Sequence, residues 1–234
     1  MIQEERDAGM PEEMVQQEYF CSFDSGLVGS YYGSQMAKAL EEGRITAVPY
    51  EPRLDVHTVW DLGVGDSTAI WFYQIHGFEI RVIDYYENSG EGLPHYIQII
   101  RDKDYLYGTH FGPHDLEVRD FTTGKSRKDT AAQLGIKFRI VPKLPVEDGI
   151  DAVRNLLRRC YFDEQRCVRG IEALRQYKKS WNDKMRCYNN QPDHDWTSHA
   201  ADAFRYLAIS LREKKVDVSR LPRVADSNYD IFGG

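Results

Sequence analysis

Three stretches of alternating apolar and polar positions follow one another closely, at 56–64 (VHTVWDLGV), 69–76 (AIWFYQIH) and 79–87 (EIRVIDYYE). Breaks at Gly65-Asp66-Ser67 and His76-Gly77 separate them, so the pattern predicts three successive strands in an antiparallel meander. A helix is then expected at about 94–103, a strand at 105–111 (YLYGTHF), a helix at 126–134 and a strand at 137–142 (KFRIVP). Such alternation requires crossover connections and therefore a mixed sheet. Apolar stripes at helical spacing follow: Ile150, Val153, Leu156 and Leu157 on one helix, and Val168, Ile171, Leu174 and Tyr177 on the next. After a polar, hairpin-like stretch at 178–192, the last helix is predicted at 197–212, with Thr197 or Ser198 as its N-cap.

The two ends read differently. Residues 1–55 hold helix-like stretches at 11–19 and 30–42, end in the Pro-punctuated AVPYEPRLD and carry a net charge of −7. They are expected to be an acidic lead-in or linker. Residues 214–234 lack periodicity and are expected to be a loose tail, which leaves 56–213 as the α/β domain.

Composition narrows the class. Of 234 residues, 41% are hydrophobic and 12% aromatic, which excludes a collagenous, coiled-coil or low-complexity chain. No apolar run approaches the roughly 18 residues needed to span a bilayer, and the acidic start is unlike a signal peptide, so a cytoplasmic protein without a membrane partner is expected. Four cysteines without C-x-x-C fit reduced thiols, although Cys160, Cys167, Cys187 and His194 leave a zinc site open. No G-x-x-x-x-G-K-[ST] loop is present, which argues against a P-loop ATPase in this chain.

Charge is distributed unevenly. Residues 124–186 carry 16 Lys and Arg against 8 Asp and Glu, whereas the whole chain has a net charge of −7. A basic segment in an acidic chain fits a phosphate-contacting surface beside carboxylates that need metal ions before they tolerate a polyanion. A solvated face on two helices would give the same count.

Several carboxylates stand where chemistry could use them. Asp61 lies among Val59, Trp60, Leu62 and Val64, where a strand disfavours a carboxylate unless it is paired or binds a metal. The alternative is a strand that stops at Trp60, with Asp61 capping a turn. Asp66 is either a turn residue or a metal ligand reaching from the loop. Asp115 follows Gly112-Pro113 at a predicted strand end, a place where sites assemble but also where turn formers sit. Asp202 lies in the last helix between Ala200, Ala201 and Ala203, which keep the helix thin enough to approach a sheet closely. His199 shares its face at a spacing of three. Oxygen ligands of this kind suit Mg²⁺ or Mn²⁺, and two such ions would serve phosphodiester hydrolysis.

The segments VWDLGVGDSTAIWF, YGTHFGPHD, CVRGIEALRQY and HDWTSHAADAFRY, in that order, resemble the C-terminal nuclease domain of the large terminase subunit of tailed bacteriophages, a ribonuclease H-like fold. The resemblance covers about residues 15–212. It implies a ribonuclease H-like mixed sheet flanked by helices and a two-metal-ion endonuclease that cuts concatemeric viral double-stranded DNA during genome packaging. Asp61 would bridge two Mg²⁺ or Mn²⁺ ions, Asp115 and Asp202 would complete the ligand set, and Asp66, Asp195 and His199 would assist. DNA would lie on the basic region, for which Lys125, Arg127, Lys128, Lys143, Lys178 and Lys179 are the candidates.

The resemblance further implies a terminase ATPase domain, a small terminase subunit and a portal as partners, acting at the procapsid in the bacterial host cytoplasm. Residues 15–50 would follow the motor domain, so the chain would be an excised nuclease fragment or a split subunit. Another ribonuclease H-like nuclease, such as a junction resolvase or an exonuclease, would use the same three acids. A non-catalytic docking module would keep the fold without bringing the acids together. The segments 87–92 and 143–148 are candidates for mobile loops.

Overall fold

The computed structural model describes residues 29–63, 67–121, 124–182 and 184–212. The expected helix at 11–19, Asp66 and the expected tail at 214–234 lie outside these residues.

Seven strands form one mixed sheet: β1 (Ile45–Thr46), β2 (Val56–Leu62), β3 (Ser67–His76), β4 (Glu79–Ser89), β5 (Tyr107–Gly112), β6 (Phe138–Ile140) and β7 (Cys160–Asp163), in the spatial order β1-β7-β4-β3-β2-β5-β6. As predicted, β2, β3 and β4 make an antiparallel meander, with Asp61 opposite Ala69 and Ala69 opposite Glu87. Strands β5 and β6 add in parallel beside β2, and β7 and β1 add in parallel beside β4. All strands of this sheet except β3 therefore run in one direction. The helices are α1 (Gly33–Glu41), α2 (Leu93–Asp102), α3 (Arg127–Gln133), α4 (Val146–Leu156), α5 (Val168–Gln176) and α6 (Ser198–Arg212), and a separate hairpin of β8 (Lys179–Asn182) and β9 (Cys187–Pro192) joins α5 to α6.

Alternation along the strands sends side chains to two cores. Val59, Ala69, Trp71 and Tyr85 face a core shared with α1, α4, α5 and α6, whereas Trp60, Ile70, Phe72 and Ile83 face one shared with α2 and α3. The apolar stripe predicted for α4 is buried at Ile150, Val153, Leu156 and Leu157. That of α5 is buried at Ile171, Leu174 and Tyr177, but Val168 is 59% exposed because it lies at the first position of the helix, before the stripe reaches the sheet. Among the described residues no helix is long and apolar enough to cross a membrane.

The expectation of a lead-in up to residue 55 needs correcting from residue 29 onward. Tyr32, Met36 and Ala39 are fully buried, and β1 extends the sheet through Ile45 opposite Phe162. Burial of these apolar positions makes this segment part of the fold, whatever its net charge. Strand β7 has no counterpart among the predicted strands; its four residues are too few to show a period. The candidate mobile segments begin in β4 at Glu87–Ser89 and end in the first turn of α4.

Candidate active site

Asp61 is in the strand, not after it. It is the sixth residue of β2 and shares the face of Val59, toward α6, with its side chain 18% exposed. Helix α6 can come this close because Ala200, Ala201 and Ala203 are all buried against the sheet, as the sequence suggested. Trp71 of β3 donates its indole N–H to the carbonyl of Ala200 at 2.9 Å, which fixes the distance between helix and sheet. The result is that His199 Nδ1 donates to Asp61 Oδ2 at 3.2 Å.

Asp202 lies one turn further along α6. Burial pushes its carboxyl up to about 6; Arg205 pulls it down, and the charge of Asp61 pushes it up further. Asp61 and Asp202 thus share one electrostatic environment. Arg205 Nη1 lies 3.1 Å from Asp202 Oδ1. Its stem passes directly over Gly149 of α4, where a Cβ would lie 2.4 Å from Arg205 Cδ, so a residue with a side chain at 149 would displace the arginine from the carboxylate. Arg205 is absent from the candidates read in the sequence, although its i,i+3 spacing from Asp202 was a usable signal.

Asp115 is delivered to the same C-terminal end of the sheet by the neighbouring parallel strand. Strand β5 pairs with β2 in parallel, Phe111 beside Val59, and ends at Gly112, after which a short 3₁₀ turn (His114–Glu117) carries Asp115. Its Oδ1 is buried and has no hydrogen-bond partner, while Oδ2 is 3.8 Å from Arg127 Nη1. Arg127 also reaches the carbonyl of Leu62, next to Asp61, at 3.4 Å. The structure therefore unites Asp61, Asp202 and His199 and holds Asp115 nearby through Arg127. Among the described residues no three Asp, Glu, His or Cys side chains converge closely enough to hold a metal ion.

The other candidates divide. Asp195 is occupied in starting α6: its Oδ1 accepts from the Thr197 backbone N–H at 2.8 Å and from the Thr197 hydroxyl at 2.5 Å. Lys125 bonds Gln133 Oε1 at 3.4 Å, and Lys128 pairs at 2.6 Å with Glu117, on the same short turn as Asp115. Lys143 is exposed after β6. Lys178 and Lys179 lie at the root of the β8–β9 hairpin, paired with Ser30 and Gly29. Lys125, Arg127 and Lys128 thus sit at the start of α3, Lys143 follows β6, and Lys178 and Lys179 lie at the hairpin root. The possible zinc ligands are likewise scattered, with Cys160 and Cys167 buried in different bonds and Cys187 exposed on β9.

Glu87 escapes the sequence reading because it stands where a mobile loop is expected to begin. On β4 it faces the same side as Asp61, two strands away, and accepts the Tyr85 hydroxyl at 2.5 Å. The alternation of Tyr85 and Glu87 was the signal for it.

The strand order, the acids at one end of the sheet and the helix laid over them can be compared with known structures. The large terminase of a thermophilic bacteriophage matches at a TM-score of 0.57 and 15% identity, covering 74% of this chain and 43% of that one. The nuclease domain of the bacteriophage P22 large terminase matches at 0.56 and 18%, covering 73% of this chain and 89% of that domain. This chain has the fold of large terminase nuclease domains. The large terminase nuclease of thermophilic phage G20c, whose structure holds bound magnesium, matches at 0.50 and 14%, covering 75% and 96%. The chain thus spans about two fifths of the first of these large terminases and nearly all of the excised nuclease domains. No protein-family model and no curated protein sequence matches it.

Proposed function

We propose that this chain is a metal-dependent endonuclease that cuts concatemeric viral double-stranded DNA during genome packaging. The observation that carries this reading is that the half-buried Asp61 and Asp202 share one electrostatic environment at the C-terminal end of the central strand β2 of a terminase-nuclease-type sheet, with a carboxylate oxygen of Asp115 left unpartnered on the neighbouring strand's end. A buried carboxylate costs free energy unless something compensates it, and a hard divalent cation is the compensation that suits an all-oxygen donor set.

Asp61, Asp115 and Asp202 would hold two Mg²⁺ or Mn²⁺ ions, with Asp115 brought toward the other two acids on binding. Bound there, the ions would activate water and neutralise charge on the phosphodiester. His199 orients the Asp61 carboxylate through its Nδ1–H, and Arg205 holds Asp202. Asp66 would assist from the loop after β2. Residues 15–50, by the resemblance, would follow a terminase ATPase domain, and the small subunit and portal would be the further partners. Domain limits of 56–213 with a tail from 214 belong to the same proposal, modified by the packing of residues 29–55.

A second reading, a docking module without catalysis, is favoured by the separation of Asp115 from the other two acids. The deciding experiment incubates the purified chain and its Asp61→Asn variant with linear and supercoiled duplex DNA in Mg²⁺, Mn²⁺ or EDTA, after circular dichroism has shown both to be folded. Cutting that requires metal and Asp61 is expected. Equal inertness of both proteins in both metals would sink the nuclease reading for the chain alone, and preference for four-way junctions would favour a resolvase.

A further inference from the structure

Arg169 has a setting unlike that of the arginines already described. It lies in the first turn of α5, its guanidinium 3.7 Å from the centre of the Trp196 ring and 3.9 Å from Glu87 Oε1, and its side chain is 55% exposed. At 3.7 Å the guanidinium carbon is in contact with the indole ring, a cation–π contact that restrains the side chain while leaving more than half of it exposed. Glu87 adds a second restraint and is itself held by the Tyr85 hydroxyl. Yet among the described residues the Arg169 guanidinium donates no hydrogen bond, in contrast to Arg127, Arg154 and Arg205, which are engaged with protein oxygens. A cation held in place from below, with its donors unused, is prepared for an anion supplied from outside the chain.

Its location says which anion. Glu87 is opposite Ala69, and Ala69 is opposite Asp61, so Glu87, which anchors Arg169 at 3.9 Å, sits level with Asp61 on the α6 face of the sheet, displaced by two strand spacings or about 10 Å. Arg127 and Lys128 lie on the other flank of Asp61, beside Asp115. A nucleic-acid strand crossing the end of the sheet at Asp61 would pass both flanks, and about 10 Å corresponds to about three nucleotides of B-form rise.

We infer that Arg169, stacked on Trp196 and anchored by Glu87, is a backbone-phosphate contact for duplex DNA about three nucleotides from the phosphate at Asp61. The inference rests on the nuclease reading for the identity of the ligand. The contact is independent of base sequence, because it addresses phosphate alone. Gly170, the next residue, lies against Trp71, which ties the position of Arg169 to the same tryptophan that sets the distance of α6.

The test measures equilibrium binding of a labelled linear duplex to the full chain carrying Asp61→Asn, from about 50 to about 200 mM salt. Adding Arg169→Gln should weaken binding about five- to tenfold near 0.1 M salt and make the log–log salt slope shallower by about one. Arg175→Gln, on the same helix but paired with Glu172, should change neither. An unchanged slope for Arg169→Gln, an equal loss for Arg175→Gln, or no duplex binding by the parent would each overturn the contact. Cleavage by the wild-type chain in Mn²⁺ is followed in parallel. Cutting together with an unchanged slope removes the contact and leaves the nuclease reading standing; no cutting together with a reduced slope does the reverse.

Discussion

His199 of α6 donates from Nδ1 to the Asp61 carboxylate of β2 at 3.2 Å, across 138 residues of sequence. The bond joins the helix that carries one acid to the strand that carries another. If the Asp61 carboxylate binds metal, the imidazole orients it, and changes to such orienting partners typically cost about ten- to a hundredfold in affinity or activity. His199→Gln should therefore weaken Mn²⁺ binding and lower cleavage by about that factor, with the melting temperature little changed. Titration calorimetry with Mn²⁺ on the folded variant checks it, and wild-type affinity would show that the bond is only structural.

Asp115 should show the opposite response in stability and activity. Its Oδ1 is buried without a partner, which costs about 1 kcal/mol or more, while its ion pair with Arg127 at 3.8 Å is long and partly exposed and contributes little. Asp115→Ala should leave stability unchanged or raise it by about 1 kcal/mol while abolishing metal-dependent cutting. Urea unfolding beside the cleavage assay reads both quantities. A loss of more than about 1 kcal/mol would mean that the carboxylate supports the fold.

Below neutral pH, His110 should weaken the fold. It is packed in β5, its Nδ1 2.7 Å from the Thr58 hydroxyl, which in turn accepts the Trp60 indole N–H. Burial, with His57 nearby, pushes its pKa down to about 4. The folded state then binds fewer protons than the unfolded state between about 6.5 and about 4, so this contribution is fully present above about 6.5 and is lost as pH falls through that window. The loss attributable to His110 is about 2 to 3 kcal/mol. Denaturant titrations at pH 7.5, 6 and 4.5, compared with His110→Leu, should show a steeper decline in the wild type; parallel declines would exclude His110 as the source.

Gly170 should tolerate no side chain. A Cβ at this position would lie 2.2 Å from the Trp71 ring, which is pinned by its bond to Ala200 and by packing against Tyr85 and Phe204. Gly170→Ala should destabilise by about 1 to 3 kcal/mol through overpacking, with an unchanged urea m-value. A variant as stable as the wild type would show that α5 can shift away without loss.

Much of this molecule could be read along the chain. The meander, the helices α2 to α6 and the hairpin follow from local period and from turn residues, because alternation and helical stripes are properties of neighbouring positions. The same applies to the thin alanine face of α6 and to Asp61 as a misfit in an apolar strand. The limits of this local reading appear at β7, too short for a period, at β1, at the burial of α1, whose helix was expected at 30–42 but in an acidic lead-in, and at Glu87, which resembles the start of a loop.

Tertiary structure alone decided which charged groups meet. Asp61 and Asp202 lie 141 residues apart, and only the strand order together with α6 crossing β2 and β3 brings them into one electrostatic environment. The tertiary fold likewise assigns Asp195 to the start of a helix, leaves Asp115 on the far flank with an unpartnered oxygen, and sets Glu87 level with Asp61. Sequence specifies each element through interactions between near neighbours, whereas burial, pKa and the free valence of a carboxylate depend on what is packed across the sheet, which no local pattern contains.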